Sequence, residues 1–110
     1  MANIVLDEKA QKTVRYYIPE NKMVSEIADF FSVFCDETRI KILSALSITE
    51  MCVTDLASTL ELNQSTLSHQ LKYLRHLGMV KYRRDGKVIY YSLTNNCVND
   101  ILNISLNYLK

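Results

Sequence analysis

The chain is poor in the residues that interrupt or crosslink a fold. Its 110 residues include two glycines, one proline, three cysteines and no tryptophan. So few glycines and prolines leave little room for linkers, and three scattered cysteines cannot form a disulfide framework, which is typical of a reducing compartment. No apolar run approaches the roughly 20 residues that a membrane-spanning helix needs, and the N-terminus lacks the pattern of a secretory signal. We therefore expect one small cytoplasmic domain without a membrane segment.

Signatures of catalysis are also missing from the sequence. It contains no glycine-rich phosphate loop and no His-Glu metal-binding motif. Its two histidines, His69 and His76, form no plausible nucleophile-base pair with a nearby serine or cysteine. Because these motifs carry the chemistry of the common enzyme classes, we expect a protein that is not an enzyme.

The charge of the chain is nearly balanced overall but unevenly distributed. The formal net charge is +1, yet residues 63–93 hold six basic residues and one acidic residue, a charge of +5, and the remainder of the chain carries −4. A basic face on an otherwise acidic protein favours contact with phosphates on one side, with an affinity that falls steeply as salt is added.

Two short helices joined by a tight turn are predicted, the first just before the basic region of residues 63–93 and the second within it. In residues 53–60 the apolar positions recur with helical spacing, and Thr54 is placed to cap that helix. Residues 61–63 then form the turn, and a second helix over residues 64–77 ends at Gly78, a glycine suited to a left-handed C-cap. We expect this second helix to bury Leu67, Leu71, Leu74 and Leu77.

The other face of the second helix is unusually rich in short polar side chains. Hydroxyls, amides and an imidazole near a helix N-terminus suit base edges and phosphates in the major groove of DNA. The candidate DNA-binding residues on this helix are Gln64, Ser65, Thr66, Ser68, His69, Gln70 and Lys72.

A basic β-hairpin is predicted directly after these helices. Residues 79–83 and 88–92 are rich in β-forming side chains, and the Asp85-Gly86 pair between them is a strong turn signal. Arg83, Arg84 and Lys87 then lie near an exposed tip, either as DNA contacts or as a solvated charged turn. Next to a polar recognition helix we favour DNA contact. The predicted fold is mainly α with a small β-hairpin wing, a winged helix-turn-helix.

The flanking segments are predicted to form a dimer. Residues 1–18 show no clear period, so we expect an irregular N-terminal arm, followed by a winged-helix and dimerisation domain over residues 19–110. A helix should start after Pro19, Asp36 should cap another, and a terminal helix that is apolar over most of its girth needs a partner. Packing the first and last helices of two subunits together would set the recognition helices about 34 Å apart, which predicts an inverted-repeat operator. The expected interface residues are Ile27, Phe31, Val98, Ile101, Leu102, Ser105 and Leu109.

Residues 24–110 resemble the ArsR/SmtB family of small winged-helix repressors. The segments that carry the resemblance are Phe34–Leu43, Glu50–Ala57, Asn63–Leu74 and Gly78–Lys87. It implies a dimeric repressor that occupies its operator in double-stranded DNA until an effector binds. It also implies DNA contacts at residues that the polar face and the basic tip indicate independently, namely Gln64, Ser65, Thr66, Ser68, His69, Gln70, Arg84 and Lys87.

Departures from the family pattern bear on the effector. Members that sense soft metals carry Cys-Val-Cys where this chain has Cys52-Val53-Thr54, and threonine cannot replace a thiolate ligand. Members that sense zinc use carboxylates and imidazoles on the last helix. The corresponding positions here are Asn95, Cys97, Asn107 and Tyr108, with Asp100 the one carboxylate on that helix. We therefore favour the absence of a metal site and of a cofactor, and a metal ion stays the less favoured alternative, with Cys52 as its candidate ligand.

Thiol chemistry is the other effector mechanism that the sequence offers. Cys97 lies near the start of the last helix, a position that favours a reactive thiolate, and Cys35 precedes another helix start. Cys97, Cys35 and Cys52 are thus candidate thiol sensors, and the competing interpretation is that all three have structural positions only. A second class of function also stays open, a winged helix used for protein docking without operator binding.

Overall fold

The computed structural model describes residue 3 and residues 5–110; Met1, Ala2 and Ile4 of the predicted arm lie outside the described residues. The chain divides into two compact units, Met1–Val33 and Phe34–Lys110. Apart from a 3₁₀ turn at Val33–Cys35, the elements in chain order are α1 (Glu8–Tyr17), α2 (Asn21–Ser32), α3 (Glu37–Ile48), β1 (Met51–Cys52), α4 (Val53–Leu60), α5 (Gln64–His76), β2 (Val80–Asp85), β3 (Val88–Leu93) and α6 (Cys97–Leu109).

The first unit is helical from near its start. Asp7 caps α1 by accepting a hydrogen bond from the Ala10 N–H at 2.7 Å, and Glu8 places a negative charge in the first turn. The prediction of an irregular segment over residues 1–18 is therefore wrong for residues 8–17, because the cap and the helix dipole act locally and need no apolar period. The predicted start of a helix after Pro19 is confirmed by α2.

The second unit surrounds a small apolar core. Asp36 caps α3 as predicted, accepting from the Thr38 N–H at 2.9 Å. α3 contacts α4, α6 and β3, and α4 packs on α5, so the core lies where these elements meet. Its buried apolar side chains are Ile42, Leu43, Leu46, Leu56, Ala57, Leu67, Leu71, Leu74, Met79, Val80 and Val98.

The predicted helix-turn-helix is present as α4, a short turn and α5. Two details differ from the prediction. Thr54 does not cap α4, since that helix already begins at Val53, and Cys52 occupies the cap position without a side-chain hydrogen bond. Leu77 is 44% exposed rather than buried, because α5 ends at His76 and Leu77 follows as the C-cap. Gly78 adopts the left-handed conformation expected after the helix, with φ of 77°.

The wing, residues 80–93, is an antiparallel hairpin of β2 and β3, as predicted. Its register is regular from Val80 opposite Leu93 to Asp85 opposite Val88, so the connecting loop is the pair Gly86-Lys87. Gly86 has φ of 63°, which suits a two-residue hairpin loop with glycine first. β1 was not predicted from the sequence; this two-residue strand pairs with β3 and completes a sheet of order β1-β3-β2.

In the described part of the chain, residue 3 and residues 5–110, no helix is both long enough and apolar enough to cross a membrane.

Candidate nucleic-acid interface

The start of α5 is held by a turn that the sequence encodes locally. Glu61 adopts a left-handed conformation, with φ of 55°, and lets the chain reverse after α4. The Asn63 side chain then accepts a hydrogen bond from the Thr66 N–H at 2.7 Å, which satisfies one of the free donors of the first turn of α5. This cap orients the first turn of the polar face.

The polar face of α5 is defined by what lies opposite it. Leu67, Leu71 and Leu74 are fully buried on the core side. At 3.6 residues per turn, Ser65, His69 and Lys72 point away from that side, and all three are exposed. Three more candidate residues are exposed in the first turn of α5 or just after it, namely Gln64, Thr66 and Ser68. Six of the seven predicted DNA-binding residues of α5 thus lie together on one accessible surface.

Gln70 is the member of the predicted set that differs. It is half-buried, and its amide nitrogen donates to the Asp36 carboxylate at 3.4 Å. The same carboxylate pairs with Arg39 at 3.1 Å, and the Arg39 guanidinium lies over the Tyr73 ring at 5.1 Å. This side of α5 therefore contacts the start of α3, and Gln70 contributes to that contact.

The last two turns of α5 carry a positively charged groove. His69, Lys72, Tyr73, Arg75 and His76 line it. His76 is exposed. The groove continues the polar face toward the wing, because the Arg75 guanidinium carbon lies 4.9 Å from the centre of the Tyr82 ring in β2.

The two faces of the wing separate the neighbouring arginines. Side chains alternate along a strand, so Arg84 shares a face with Tyr82, whereas Arg83 lies on the opposite face. Since Tyr82 contacts Arg75 of α5, Arg84 is on the hairpin face that is turned toward α5. Arg83 is on the face turned away from it.

Arg83 is engaged by a residue that the sequence analysis did not identify. Its guanidinium donates to both carboxylate oxygens of Glu50 and lies 4.6 Å from the centre of the Tyr90 ring. These hydrogen bonds lower the pKa of the Glu50 carboxyl from its ordinary 4.5 and raise the pKa of Arg83. Glu50 is 33 residues away in the chain, and only the pairing of β1 with β3 brings it close. No local spacing signal could have found it.

Lys87 lies in the loop of the hairpin and is exposed. It lines a shallow hollow with Val88 and Ile89 of β3 on one side and Cys52, Val53 and Thr54 on the other. Lys87 therefore stands beside the start of α4, where the partial positive charge of the helix adds to its own.

The three cysteines lie on different elements of the fold. Cys35 ends the 3₁₀ turn and is exposed, Cys52 in β1 is half-buried, and exposed Cys97 opens α6, where its N–H donates to the Asn95 side chain at 2.8 Å. Among residue 3 and residues 5–110, no group of three or more His, Cys, Asp and Glu side chains is arranged to hold a metal ion. The donor set of one chain thus does not fit a thiolate-bound metal, which needs several converging thiolates.

The predicted interface residues differ in exposure, and Ser105 is an exposed member whose hydroxyl donates to the Ile101 carbonyl oxygen at 2.9 Å. Val98 is 4% exposed and belongs to the core of its own unit. Ile101 and Leu102 are half-buried, whereas Leu109 is 80% exposed, and Ile104 and Tyr108 on the same helix are similarly open. In the first unit Ile27 is 40% and Phe31 51% exposed. Each unit therefore has apolar side chains that are largely or partly exposed.

Comparison with known proteins supports the same architecture. Residues 36–82 match the family described as "Bacterial regulatory protein, arsR family". The chain is 45% identical over 76 residues to the transcriptional repressor SmtB homolog of Synechocystis, a match that covers 69% of this chain and 58% of that protein, less than two thirds of its length. It is 36% identical over 97 residues to the cadmium resistance transcriptional regulatory protein CadC homolog of Staphylococcus aureus, covering 87% of this chain and 78% of that protein.

A solved structure is similar to this chain in both fold and sequence. The crystal structure of NolR from Sinorhizobium fredii superposes with a TM-score of 0.73 at 38% identity, covering 83% of this chain and 92% of that one. The resemblance seen in the sequence is thereby confirmed. The chain belongs to the ArsR family of bacterial regulatory proteins and is a transcriptional regulator built on a winged helix-turn-helix.

Proposed function

We propose that this regulator is a homodimeric repressor that binds an inverted-repeat operator in double-stranded DNA and releases it when an effector acts. The observation that carries the proposal is the exposed polar face of α5, which the contact of Arg75 with Tyr82 joins to the wing that carries Arg84 and Lys87. The repressor names of its relatives support this assignment. The cytoplasm, where operator DNA is accessible, is then its place of action.

Different residues take different parts in DNA binding. Ser68 and His69 lie where α5 would enter the major groove, so we assign them to base edges. Gln64, Ser65 and Thr66 surround the N-terminus of α5, a position suited to a phosphate. Lys72, Arg84 and Lys87 supply charge that positions the duplex without reading its sequence. Gln70 and Arg83 already have protein partners.

The exposed apolar side chains support a dimer. Leu109 in α6 and Phe31 in α2 are open to solvent in the single chain. Burial of such side chains against a second copy would stabilise the pair by roughly 25 cal/mol for each Å² of apolar surface removed from water. An isologous pair also presents two copies of α5 related by a two-fold axis, which is the symmetry of an inverted repeat.

The effector is the least constrained part of the proposal. One relative is named for cadmium resistance, but Cys52 of this chain is followed by Val53 and Thr54 rather than by a second thiolate. We therefore propose an effector other than a thiolate-bound soft metal. Exposed Cys97 is the thiol that we expect to respond if the effector is an oxidant or a reactive sulfur compound.

Fluorescence anisotropy on DNA from upstream of its own coding sequence tests the proposal. The reduced protein should bind this promoter duplex in the presence of random competitor, with an affinity that falls steeply with salt. Zinc, cadmium, arsenite and a persulfide donor are then added separately to identify the releasing chemistry. Release by persulfide that is lost in Cys97→Ser would identify the thiol. Failure to bind the promoter duplex above competitor at low salt would overturn the repressor proposal in favour of protein docking.

A further inference from the structure

A contact between Glu50 and Arg83 links the two outer strands of the sheet. The Arg83 Nε lies 3.1 Å from each Glu50 carboxylate oxygen, and a terminal guanidinium nitrogen makes a further short contact with Oε1. The Arg83 guanidinium lies over the ring of Tyr90 in the central strand β3, with its carbon 4.6 Å from the ring centre. The arginine thus reaches across β3, over an aromatic ring, to a carboxylate beside β1.

The position of this contact within the sheet is informative. Tyr90 pairs with Cys52 on one side and with Arg83 on the other, so this row is the last in which three strands lie side by side. Beyond it, the hairpin continues as two strands to the loop that carries Lys87. A two-stranded ribbon is only marginally stable in isolation. The contact therefore lies at the base of the two-stranded part of the wing, where the pairing of β1 with β3 ends.

We propose that Glu50, Arg83 and Tyr90 form a brace that fixes the wing relative to α4, and that Arg83 is a positioning residue rather than a phosphate contact. This inference deepens the proposed function and rests on it. The link to α4 is direct, because Cys52, the last residue of β1, is also the cap residue of α4. Fixing β2 to the segment before β1 holds Arg84 and Lys87 at a defined place relative to the helix-turn-helix.

Charge supplies a sharp way to test the brace. Replacing Glu50 by glutamine removes one negative charge next to the wing, and simple electrostatics then favours tighter binding to DNA. Loss of the brace has the opposite effect, since Arg84 and Lys87 are no longer held in place. The sign of the change in affinity therefore separates the two explanations.

The experiment compares Glu50→Gln, Arg83→Gln and the exchanged pair Glu50→Arg/Arg83→Glu on the promoter duplex. We expect each single variant to bind roughly two- to fivefold more weakly, the range of a well-formed exposed ion pair, and the exchanged pair to recover most of that loss. Glu26→Gln is the matched control, because it makes the same charge change at an exposed glutamate of α2. It should leave the affinity unchanged or raise it slightly. Thermal melts followed by circular dichroism verify that every variant is folded.

The salt dependence of binding assigns the role of Arg83. Arg84→Gln should lower the slope of log affinity against log salt by about one per wing, as the loss of a phosphate contact does. Arg83→Gln should leave the slope unchanged. An equal loss of slope in both variants, or an exchanged pair that binds no better than the single variants, would overturn the proposal, because a glutamate cannot replace an arginine at a phosphate.

Amide hydrogen exchange of the protein without DNA tests the brace separately from the proposed function. Exchange at residues 84–89 should accelerate in Glu50→Gln and in Arg83→Gln and return to the original rate in the exchanged pair. If the unaltered protein does not bind the promoter duplex, the repressor proposal fails, and the exchange rates alone then decide whether the brace exists. Unchanged exchange in both single variants would refute it.

Discussion

Arg75 of α5 lies over the ring of Tyr82 in β2, with its guanidinium carbon 4.9 Å from the ring centre. Tyr82 also contacts the ring of Tyr91 in β3 at 5.9 Å. These contacts join the candidate recognition helix to the base of the wing, so Tyr82 is the side chain through which the two parts of the interface are held together.

We expect Tyr82→Leu to lower the free energy of unfolding by about 1 kcal/mol, since it removes a cation-π contact and an aromatic pair from a half-exposed site. Tyr82→Phe keeps the ring and should lose less than about half of that amount. Urea denaturation followed by circular dichroism measures both variants. Equal stability of Tyr82→Leu and the unaltered protein would show that these contacts contribute nothing.

Sequence discrimination should depend on the centre of the polar face of α5. His69→Ala and Ser68→Ala are expected to bind the promoter duplex more weakly while binding random DNA nearly as before, because a base contact contributes about 1–3 kcal/mol of discrimination and a phosphate contact contributes none. Competition anisotropy with both duplexes measures the ratio. Lys87→Ala is the matched control and should weaken the binding of both duplexes by the same factor.

Dimerisation should depend on the exposed end of α6. Leu109→Asp places a charge at a side chain that is 80% exposed in the single chain, so the fold of the subunit should survive. We expect a monomer by size-exclusion chromatography with light scattering. Affinity for the promoter duplex should fall about a hundredfold or more, because the two half-sites are no longer bound together.

Ile48→Asp provides the control for this experiment. Ile48 in α3 is 83% exposed and lies outside the predicted interface, so its variant should remain a dimer. A dimeric Leu109→Asp protein would place the interface elsewhere.

The Glu50 carboxyl should titrate below the ordinary glutamate pKa of 4.5, since the hydrogen bonds from Arg83 favour its ionised form. Because the pKa is lower in the folded protein than in the unfolded chain, the contact stabilises the fold above pH 4.5. That contribution is lost as the pH falls through the folded pKa. Carbon-13 NMR of the carboxyl measures the midpoint. Arg83→Leu should raise it toward 4.5, whereas Arg84→Leu should leave it unchanged.

The turn between α4 and α5 offers a stabilising substitution. Glu61 occupies the left-handed region, with φ of 55° and ψ of 45°, where a side chain costs roughly 1 kcal/mol relative to glycine. Glu61→Gly should therefore raise the free energy of unfolding by about 0.5–1 kcal/mol. Glu61→Ala removes the same charge but keeps the Cβ atom and should give no such gain. Denaturant melts of the two variants distinguish backbone strain from charge.

The parts of the interface that the sequence predicts well are those whose signals are local. The apolar spacing of Leu67, Leu71 and Leu74 identifies α5 and its outer face, and the Asp85-Gly86 pair identifies the hairpin. Helix caps are also local, yet Asp7 escaped notice because the apolar positions of α1, Ala10, Val14 and Tyr17, are few and stand among charged and polar residues.

Contacts between distant segments could not be predicted in the same way. β1 is two residues long, too short for alternation to reveal it, and its pairing with β3 depends on the packed unit. The engagement of Arg83 by Glu50 follows from that pairing, and Gln70 meets Asp36 only after α3 and α5 have packed. Sequence reasoning therefore identified which residues are basic or polar but not which of them have protein partners.

The regular register of the wing decides which of two adjacent arginines is presented toward α5. Because side chains alternate along β2, Arg84 shares a face with Tyr82, and Arg83 is directed to Glu50. A single residue inserted in β2 between Tyr82 and Arg83 would exchange these orientations along the outer half of the hairpin, because side chains alternate between the two faces. Arg83 would then take the place of Arg84 beside α5, and the inserted residue would take the place of Arg83 next to Glu50. Arg84 would lie on the face of Glu50 but two residues farther along the strand than Arg83 lies now. The number of residues in this part of β2 therefore determines which arginine the wing presents toward α5.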